Sequence, residues 1–363
     1  MNKQEKIKNF DPSQPGLADE SIFGLPFTAE ESEIIIIPVP WEVTVSYGSG
    51  ASNGPEAILE ASFQVDLHHQ EFPDLWKLGI YLDLNEQTAI WGSNSDKFKG
   101  LAQPIIAALE SGEVIESHPA LQSDLDKINK VCKELKDEIK ERVLYWTKKG
   151  KKVALLGGDH STPLGYYEAL ASQHDSFGIL HLDAHMDLRI AYEGFTYSHA
   201  SIMYNALQLP QITKIVQIGI RDFCKQEVET VMEQGSRVIV HTDTDMKLET
   251  FKGVTWEQQC DQIIASLPQK VTISFDVDGM YSWYCPNTGT PVPGGFSYEQ
   301  ATYLLSRLAD SGKEIIGFDL VEVAPGDTDW DGNVGARMLY HMCGVLAKNN
   351  GMEVGKKIRF NQI

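Results

Sequence analysis

The chain has 363 residues, with 31 basic and 51 acidic side chains and a formal net charge of −20. That length allows one large α/β domain or two smaller ones, and a hydrophobic content of 42% is enough for a sizeable core. The acidic balance argues against nucleic acid and anionic membrane surfaces as partners and mildly favours cationic small molecules. Met1–Glu20 is polar, with no signal-peptide core, and no stretch approaches the ~20 apolar residues of a spanning helix. Cys132, Cys224, Cys260, Cys285 and Cys343 are dispersed without a CxxC pair, which fits a reducing, cytoplasmic compartment.

Residues 1–32 show little periodicity and contain Pro12, Pro15, Gly16, Gly24 and Pro26. They are expected to form an extended arm, over the domain or against a neighbouring subunit, ahead of a domain spanning 33–363. Ile34–Ile37 is a fully buried strand candidate, ended by Pro38-Val39-Pro40. A Gly-rich loop, Ser46–Pro55, follows; Pro55 then opens a helix over 56–63. A second strand is expected over 78–82. Residues 84–121 give conflicting signals, with Trp91–Ser95 loop-like and Phe98–Leu109 helical. From Asp124 to Lys149, Leu125, Ile128, Val131, Leu135, Ile139 and Val143 recur at helical spacing. Strand runs then alternate with helical ones, at 152–156, 178–182, 214–219, 237–241, 271–275 and 315–320. The alternation predicts one doubly wound α/β domain with eight strands in a parallel sheet, because no composition break divides it.

Three of these strands lead into potential metal ligands. Gly157-Gly158-Asp159-His160-Ser161 follows the first, Asp183-Ala184-His185-Met186-Asp187 the second and Asp276-Val277-Asp278 the third. Alone, the first run reads more readily as a capped turn and the third as a helix cap. In an extended segment Asp183, His185 and Asp187 share a face, and burying them without a ligand is costly. Together, at strand ends where α/β sheets bind ligands, the runs suit two divalent first-row cations and metal-assisted hydrolysis.

These motifs, in this order, resemble the ureohydrolase family of arginases, agmatinases and their relatives, from about Glu33 to the last helix. Asn287-Thr288-Gly289-Thr290-Pro291 is similar to the family's turn after the third run and places Thr288 among the substrate contacts. Asp319-Leu320-Val321-Glu322-Val323 is similar to its last strand, which presents a substrate-binding glutamate. The resemblance implies a three-layer α/β domain, two Mn²⁺ or alternatively Ni²⁺ ions, and hydrolysis of a guanidinium C–N bond by a metal-bridging hydroxide. Homotrimers or homohexamers are also implied. Carried over, His160 and Asp187 bind one metal, His185 and Asp278 the other, and Asp183 and Asp276 bridge them. His199 then shuttles a proton, and Glu322 pairs with the guanidinium through a bidentate fork. Asp159 orients a ligand or the neighbouring backbone, and His181 is expected as a satisfied core histidine.

The substrate is less constrained. Arg189 stands where arginases carry a head-group asparagine; it would meet a substrate carboxylate, as in formimidoylglutamases, or brace the loop through Glu193. Tyr281, Trp283 and Tyr284 follow the third run, and Trp283 is expected to narrow the pocket and stack on a guanidinium. A crowded pocket favours guanidine or agmatine, in the manner of the agmatinase-like and guanidine hydrolase branch. Glu42 or Glu193 would hold agmatine's distal amine. Formimidoylglutamase and arginase activities are the alternatives within the family. A silent scaffold with this fold and a metal-dependent deacetylase are the alternatives outside it.

Overall fold

Runs of aliphatic residues buried on both faces are what a parallel sheet covered by helices requires. In the computed structural model, which describes residues 1–14, 16 and 21–360, these runs form eight strands. They are β1 (Ile34–Val39), β2 (Ile80–Leu82), β3 (Lys152–Gly157), β4 (Phe177–Leu182), β5 (Ile212–Ile220), β6 (Val238–Thr242), β7 (Lys270–Asp276) and β8 (Glu314–Val321). All pair in parallel in the order β2-β1-β3-β8-β7-β4-β5-β6. The four strands at its centre, β3, β8, β7 and β4, are the ones that lead into the candidate ligands and Glu322. Topology therefore gathers four distant sequence segments at one edge.

The side chains of each strand alternate between two cores. Ile34, Ile36, Leu156, Leu180 and Phe318 face one layer, with the helices Gly54–Ser62, Tyr298–Asp310 and Trp330–Asn349. Ile35, Ile37, Leu155 and Ile179 face the other, with the helices Glu86–Glu110, Pro119–Thr147 and Leu164–Ala171. Among the described residues no helix is long and apolar enough to cross a membrane, and the five cysteines are unpaired.

Two stretches depart from expectation. Trp91–Ser95 is helical, inside Glu86–Glu110, because Asn85 caps the helix and Trp91 and Ser95, one turn apart, are both buried. Burial of that pair outweighs the weak helix preference of Gly92, Ser93 and Asn94. In the arm, Lys3–Asn9 is a capped helix, and Ile22, Phe23, Leu25 and Phe27 join the core beside Ile34 and Ile80. Pro15, residues 17–20 and residues 361–363 lie outside the described residues, so the expectation for that part of the arm concerns residues not described.

Candidate metal centre

His160, Asp183, Asp187, Asp276 and Asp278 are buried, and His185 is half-buried. His160 Nδ1 lies 3.0 Å from Asp183 Oδ2, 3.1 Å from Asp187 Oδ2 and 3.3 Å from Asp276 Oδ2. His185 Nδ1 lies 3.4 Å from Asp183 Oδ1 and 3.0 Å from Asp278 Oδ2. Asp183 thus turns one oxygen toward each imidazole. Strand alternation is not what brings the second run together. β4 ends at Leu182, and Asp187 turns inward from a left-handed backbone, φ 55°. Its carbonyl accepts the N–H groups of Met203, at 3.0 Å, and Tyr204, at 3.2 Å.

The charge of the cluster fits divalent cations. No lysine or arginine among the described residues forms an ion pair with the four aspartates. Arg221 reaches instead toward backbone carbonyls, including that of Asp278 at 2.5 Å. Burial, then the charge of Asp183, pushes Asp187 up to about 6. Burial, then Asp278 and Asp183, holds Asp276 well above the carboxylate range. Against its own burial, Asp183 is held well below that range by the imidazoles of His181, His160 and His185. Burial lowers His185, but Asp278 and Asp183 outweigh it and push it up to about 12. His160 Nδ1 is buried without a hydrogen-bond partner, although three carboxylates surround it. Two imidazole nitrogens among hard oxygens, one of them orphaned, are a donor set suited to divalent first-row cations.

Further side chains hold this set. His181 Nε2 lies 2.8 Å from Asp183 Oδ2, and Gln217 Nε2 donates to His181 Nδ1 at 2.9 Å and to the Met186 carbonyl at 2.7 Å. Behind His160, its Nε2 meets Ser274 Oγ at 2.9 Å, and Ser274 donates to Asp319 Oδ1 at 2.8 Å. Glu227 Oε1 accepts the Leu188 N–H at 3.1 Å and Oε2 the Cys224 N–H at 2.8 Å. Sequence reasoning missed Gln217, Ser274, Asp319 and Glu227; their only sequence signal is a polar residue inside a strand or a short helix. Asp159 caps its own turn, accepting the Ser161 N–H at 3.0 Å, and touches no ligand side chain.

Glu322 follows β8 with φ 65°, a costly conformation for a residue with a Cβ. Its Oε1 accepts the His160 N–H at 2.7 Å, and its own N–H donates to Gly158 O at 2.8 Å. Burial, then Asp276 and Asp159, holds its carboxyl well above the usual range. Thr288 donates to the Glu322 carbonyl at 2.9 Å, so its hydroxyl braces the backbone instead of facing open space. The turn 287–291 is itself held by the Gly-rich loop through Gly48 N–H to Gly289 O, 2.9 Å. A Cβ on Gly48 would lie 2.4 Å from that oxygen.

A cavity of about 320 Å³ opens onto the cluster. Its walls include Tyr47, His185, Asp187, Arg189, Tyr192, His199, Asp222, Phe223 and Glu227. His199 is half-buried there; burial and the imidazoles of His185 and His160 push it down to about 4, so it is neutral at pH 7. Arg189 stacks on Tyr192, 4.8 Å from its ring centre, and faces Glu227 at 3.9 Å, so its partner is Glu227 and not Glu193.

Three expected substrate contacts lie elsewhere. Glu193 is absent from the cavity wall, because the left-handed turn at 191–193 carries it away. Trp283 is 62% exposed and stacks on Tyr281 with centroids 4.4 Å apart, outside the cavity. Tyr281 N–H donates to Phe296 O at 3.0 Å and fixes the path that leads Trp283 away. Glu42 is fully buried, paired with Lys99 and accepting the Gly50 N–H at 2.7 Å, so it anchors the Gly-rich loop.

Comparison with known proteins agrees with this geometry. An N(1)-aminopropylagmatine ureohydrolase from Thermus thermophilus is 30% identical over 330 residues, covering 90% of this chain and 93% of that protein. An agmatinase from Bacillus anthracis is 27% identical over 296 residues, covering 82% and 85%. The crystal structure of agmatine ureohydrolase of Thermoplasma volcanium has the same fold, with a TM-score of 0.68 at 22% identity over 96% of this chain and 99% of that one. Proclavaminate amidino hydrolase from Streptomyces clavuligerus also has it, with a TM-score of 0.68 at 22% identity over 93% and 100%. The Arginase family model matches residues 32–344, and with the sheet order and the buried His/Asp cluster this makes the chain a member of the arginase family of ureohydrolases.

Proposed function

We propose that the chain hydrolyses the C–N bond of a small cationic guanidine, agmatine or a longer-tailed relative ahead of guanidine itself, releasing urea and an amine. The observation that carries this is Asp183, whose two oxygens face two different imidazoles across a buried acidic cluster. In this reading His160, Asp183, Asp187 and Asp276 would hold one cation, and His185, Asp183 and Asp278 the other. Two such cations, Mn²⁺ or Ni²⁺, would when bound supply an activated water near neutral pH.

The rest falls to the chain's own groups. Glu322, beside His160 and not itself on the cavity wall, would when ionised accept the N–H donors of the guanidinium and orient its carbon. His199, neutral at pH 7, takes up a proton and hands it to the leaving nitrogen. Asp222, at the cavity wall 4.0 Å from His185, offers a carboxylate to a distal ammonium. Arg189 is engaged by Glu227 and Tyr192, which disfavours guanidino acids and formimidoylglutamate. With Trp283 outside the cavity, the crowding that favoured guanidine is reduced. Relatives named agmatinase and N(1)-aminopropylagmatine ureohydrolase point the same way. The five unpaired cysteines support a cytosolic setting.

The test is urea release from guanidine, agmatine, N(1)-aminopropylagmatine, 4-guanidinobutyrate and arginine, after separate loading with Mn²⁺ and Ni²⁺. Preference for agmatine or its aminopropyl derivative is expected. A clear preference for arginine or 4-guanidinobutyrate would defeat the substrate assignment, and formamide release from formimidoylglutamate would give Arg189 the carboxylate-binding role.

A further inference from the structure

Asp319 sits within β8 with no exposure, in the middle of the sheet. Among the described residues no lysine or arginine pairs with it. Its partners are two neutral hydroxyls: Ser274 donates to Oδ1 at 2.8 Å and Tyr167 to Oδ2 at 2.9 Å. Both hydroxyl residues are themselves fully buried. A buried carboxylate without a cationic partner is expensive, and an apolar residue would serve the sheet better. Nothing in the proposed hydrolysis uses it directly.

Counting protons gives it a task. An ionised carboxylate only accepts, and hydrogen bonds to it are stronger than those between neutral groups. Ser274 has one proton, and Asp319 takes it. Tyr167 Oη lies 2.9 Å from both Asp319 Oδ2 and Ser274 Oγ, so its proton also points into this acceptor pair. Ser274 Oγ therefore faces His160 Nε2, 2.9 Å away, with lone pairs only. His160 can satisfy that contact only by carrying a proton on Nε2. Its Nδ1, the buried atom without a hydrogen-bond partner, is then the nitrogen left to face Asp183, Asp187 and Asp276.

We propose that Asp319, acting through Ser274, is a positioning residue that fixes the Nε2–H form of His160 and so aims the Nδ1 lone pair at one of the two cation positions. His185 has no counterpart. Its outer nitrogen is 4.0 Å from Asp222, whose side chain is 67% exposed. The two positions thus differ in how firmly their imidazoles are held, and damage to the Ser274–Asp319 chain falls on the His160 side. The inference rests on reading the cluster as a metal centre.

The test is calorimetric titration of the chelator-treated full chain with Mn²⁺, in the unsubstituted protein and in Ser274→Ala and Asp319→Asn. Nitrogen-15 NMR of labelled histidines, with His160 assigned through His160→Asn, reports the tautomer in the same samples. Loss of an outer hydrogen-bond partner typically weakens a metal site 10–100-fold, by about 1.4–2.7 kcal/mol. Ser274→Ala is expected to weaken one of two binding steps by roughly that factor, to leave the other in place, and to remove the fixed Nε2–H signature of His160. Unchanged Mn²⁺ affinity in both steps, with an unchanged tautomer, overturns the proposal. Should Ser274→Ala fail to unfold cooperatively, Asp319→Asn decides: it keeps the shape but lets an amide replace the purely accepting carboxylate. A smaller loss at the same step supports the proposal, and unchanged affinity in folded Asp319→Asn overturns it. Absence of Mn²⁺ binding in the unsubstituted chain would defeat the metal-centre reading as well, which separates the two failures.

Discussion

Glu227 is the side chain whose removal best tests how the strained loop carrying the candidate ligand Asp187 is held. It lies in the helix Lys225–Gln234, is buried, and accepts one N–H with each carboxylate oxygen, Leu188 at 3.1 Å and Cys224 at 2.8 Å. Leu188 directly follows Asp187, whose φ of 55° needs support from its neighbours. In Glu227→Gln one oxygen remains. It can serve the fully buried Leu188 N–H only by turning the amide NH₂ toward Cys224, leaving one donor unmatched at about 1–2 kcal/mol. Glu227→Ala leaves both N–H groups unmatched, which raises the cost to roughly 2–4 kcal/mol. The ion pair with half-exposed Arg189 at 3.9 Å adds little to either figure. Denaturant unfolding reads this loss, and Mn²⁺ titration reads its effect on Asp187, where a 10–100-fold weakening is expected for the alanine variant. If Glu227→Ala loses stability yet binds Mn²⁺ as before, Glu227 is only a helix cap. The Met203 and Tyr204 N–H groups on the Asp187 carbonyl then suffice to hold the ligand.

Gly158→Ala would put a Cβ 2.1 Å from the Trp41 carbonyl oxygen, backbone against backbone. Because Gly158 O accepts the Glu322 N–H at 2.8 Å, turnover should fall by far more than the ~1–3 kcal/mol of overpacking takes from stability; normal kcat/KM would refute this coupling. Trp283→Ala should leave the relative rates on guanidine and agmatine where they were, while Tyr47→Ala, at the cavity wall, should raise KM for the longer substrate. The reverse outcome would place Trp283 at the site. Buried His341 is pushed down to about 4 by burial, with His69 adding to it, from an ordinary value of 6.5. The unfolded chain takes up a proton there below pH 6.5 and the folded one does not, so stability is full above 6.5 and falls as pH drops toward 4. The loss reaches roughly 3 kcal/mol below both values. Urea unfolding of His341→Phe between pH 7.5 and 4 should show a flatter acid limb; an unchanged slope would mean that other groups govern it.

The buried His/Asp cluster was legible as a candidate metal centre because the chemistry dictates residue types. Few side chains bind a hard divalent cation, and an aliphatic run ahead of each group of ligands signals a strand end. The alternation of runs likewise gave the eight strands to within a few residues. What holds the candidate ligands was not legible. Ser274 and Asp319 read as interruptions of apolar strands, and their meaning appears only when β7 and β8 pair with Ser274 opposite Asp319. Gln217 comes to His181 in the same way, through pairing of β4 with β5. Direction was the other gap. Aromatics clustered after the third metal run suggested a narrowed pocket, but the 3.0 Å bond from Tyr281 to Phe296, well beyond it along the chain, decides where Trp283 goes. Arg189 could pair with Glu193 by sequence proximity, yet the left-handed turn between them gives it Glu227 instead.

Those same contacts bear on what cations do for the fold. Asp183, Asp187, Asp276 and Asp278 are buried beside the imidazoles of His160, His181 and half-buried His185, with no lysine or arginine ion pair among the described residues. Each uncompensated buried charge costs several kcal/mol, and the raised values of Asp187 and Asp276 record that cost. Protonating the cluster lowers it, and divalent cations lower it further while also engaging His160 Nδ1. Binding to the folded chain alone then adds about 2.7 kcal/mol per site at a free concentration of one hundred times Kd. Unfolding should therefore shift upward with added Mn²⁺ and downward with a chelator. The shift should grow between pH 5 and 7, as protons stop competing for the carboxylates and imidazoles. Asp183→Asn should abolish most of this dependence, because Asp183 alone faces both imidazoles. An unfolding transition indifferent to Mn²⁺, Ni²⁺ and chelator would mean that protons alone balance the cluster, and the hydrolytic reading would fall with it.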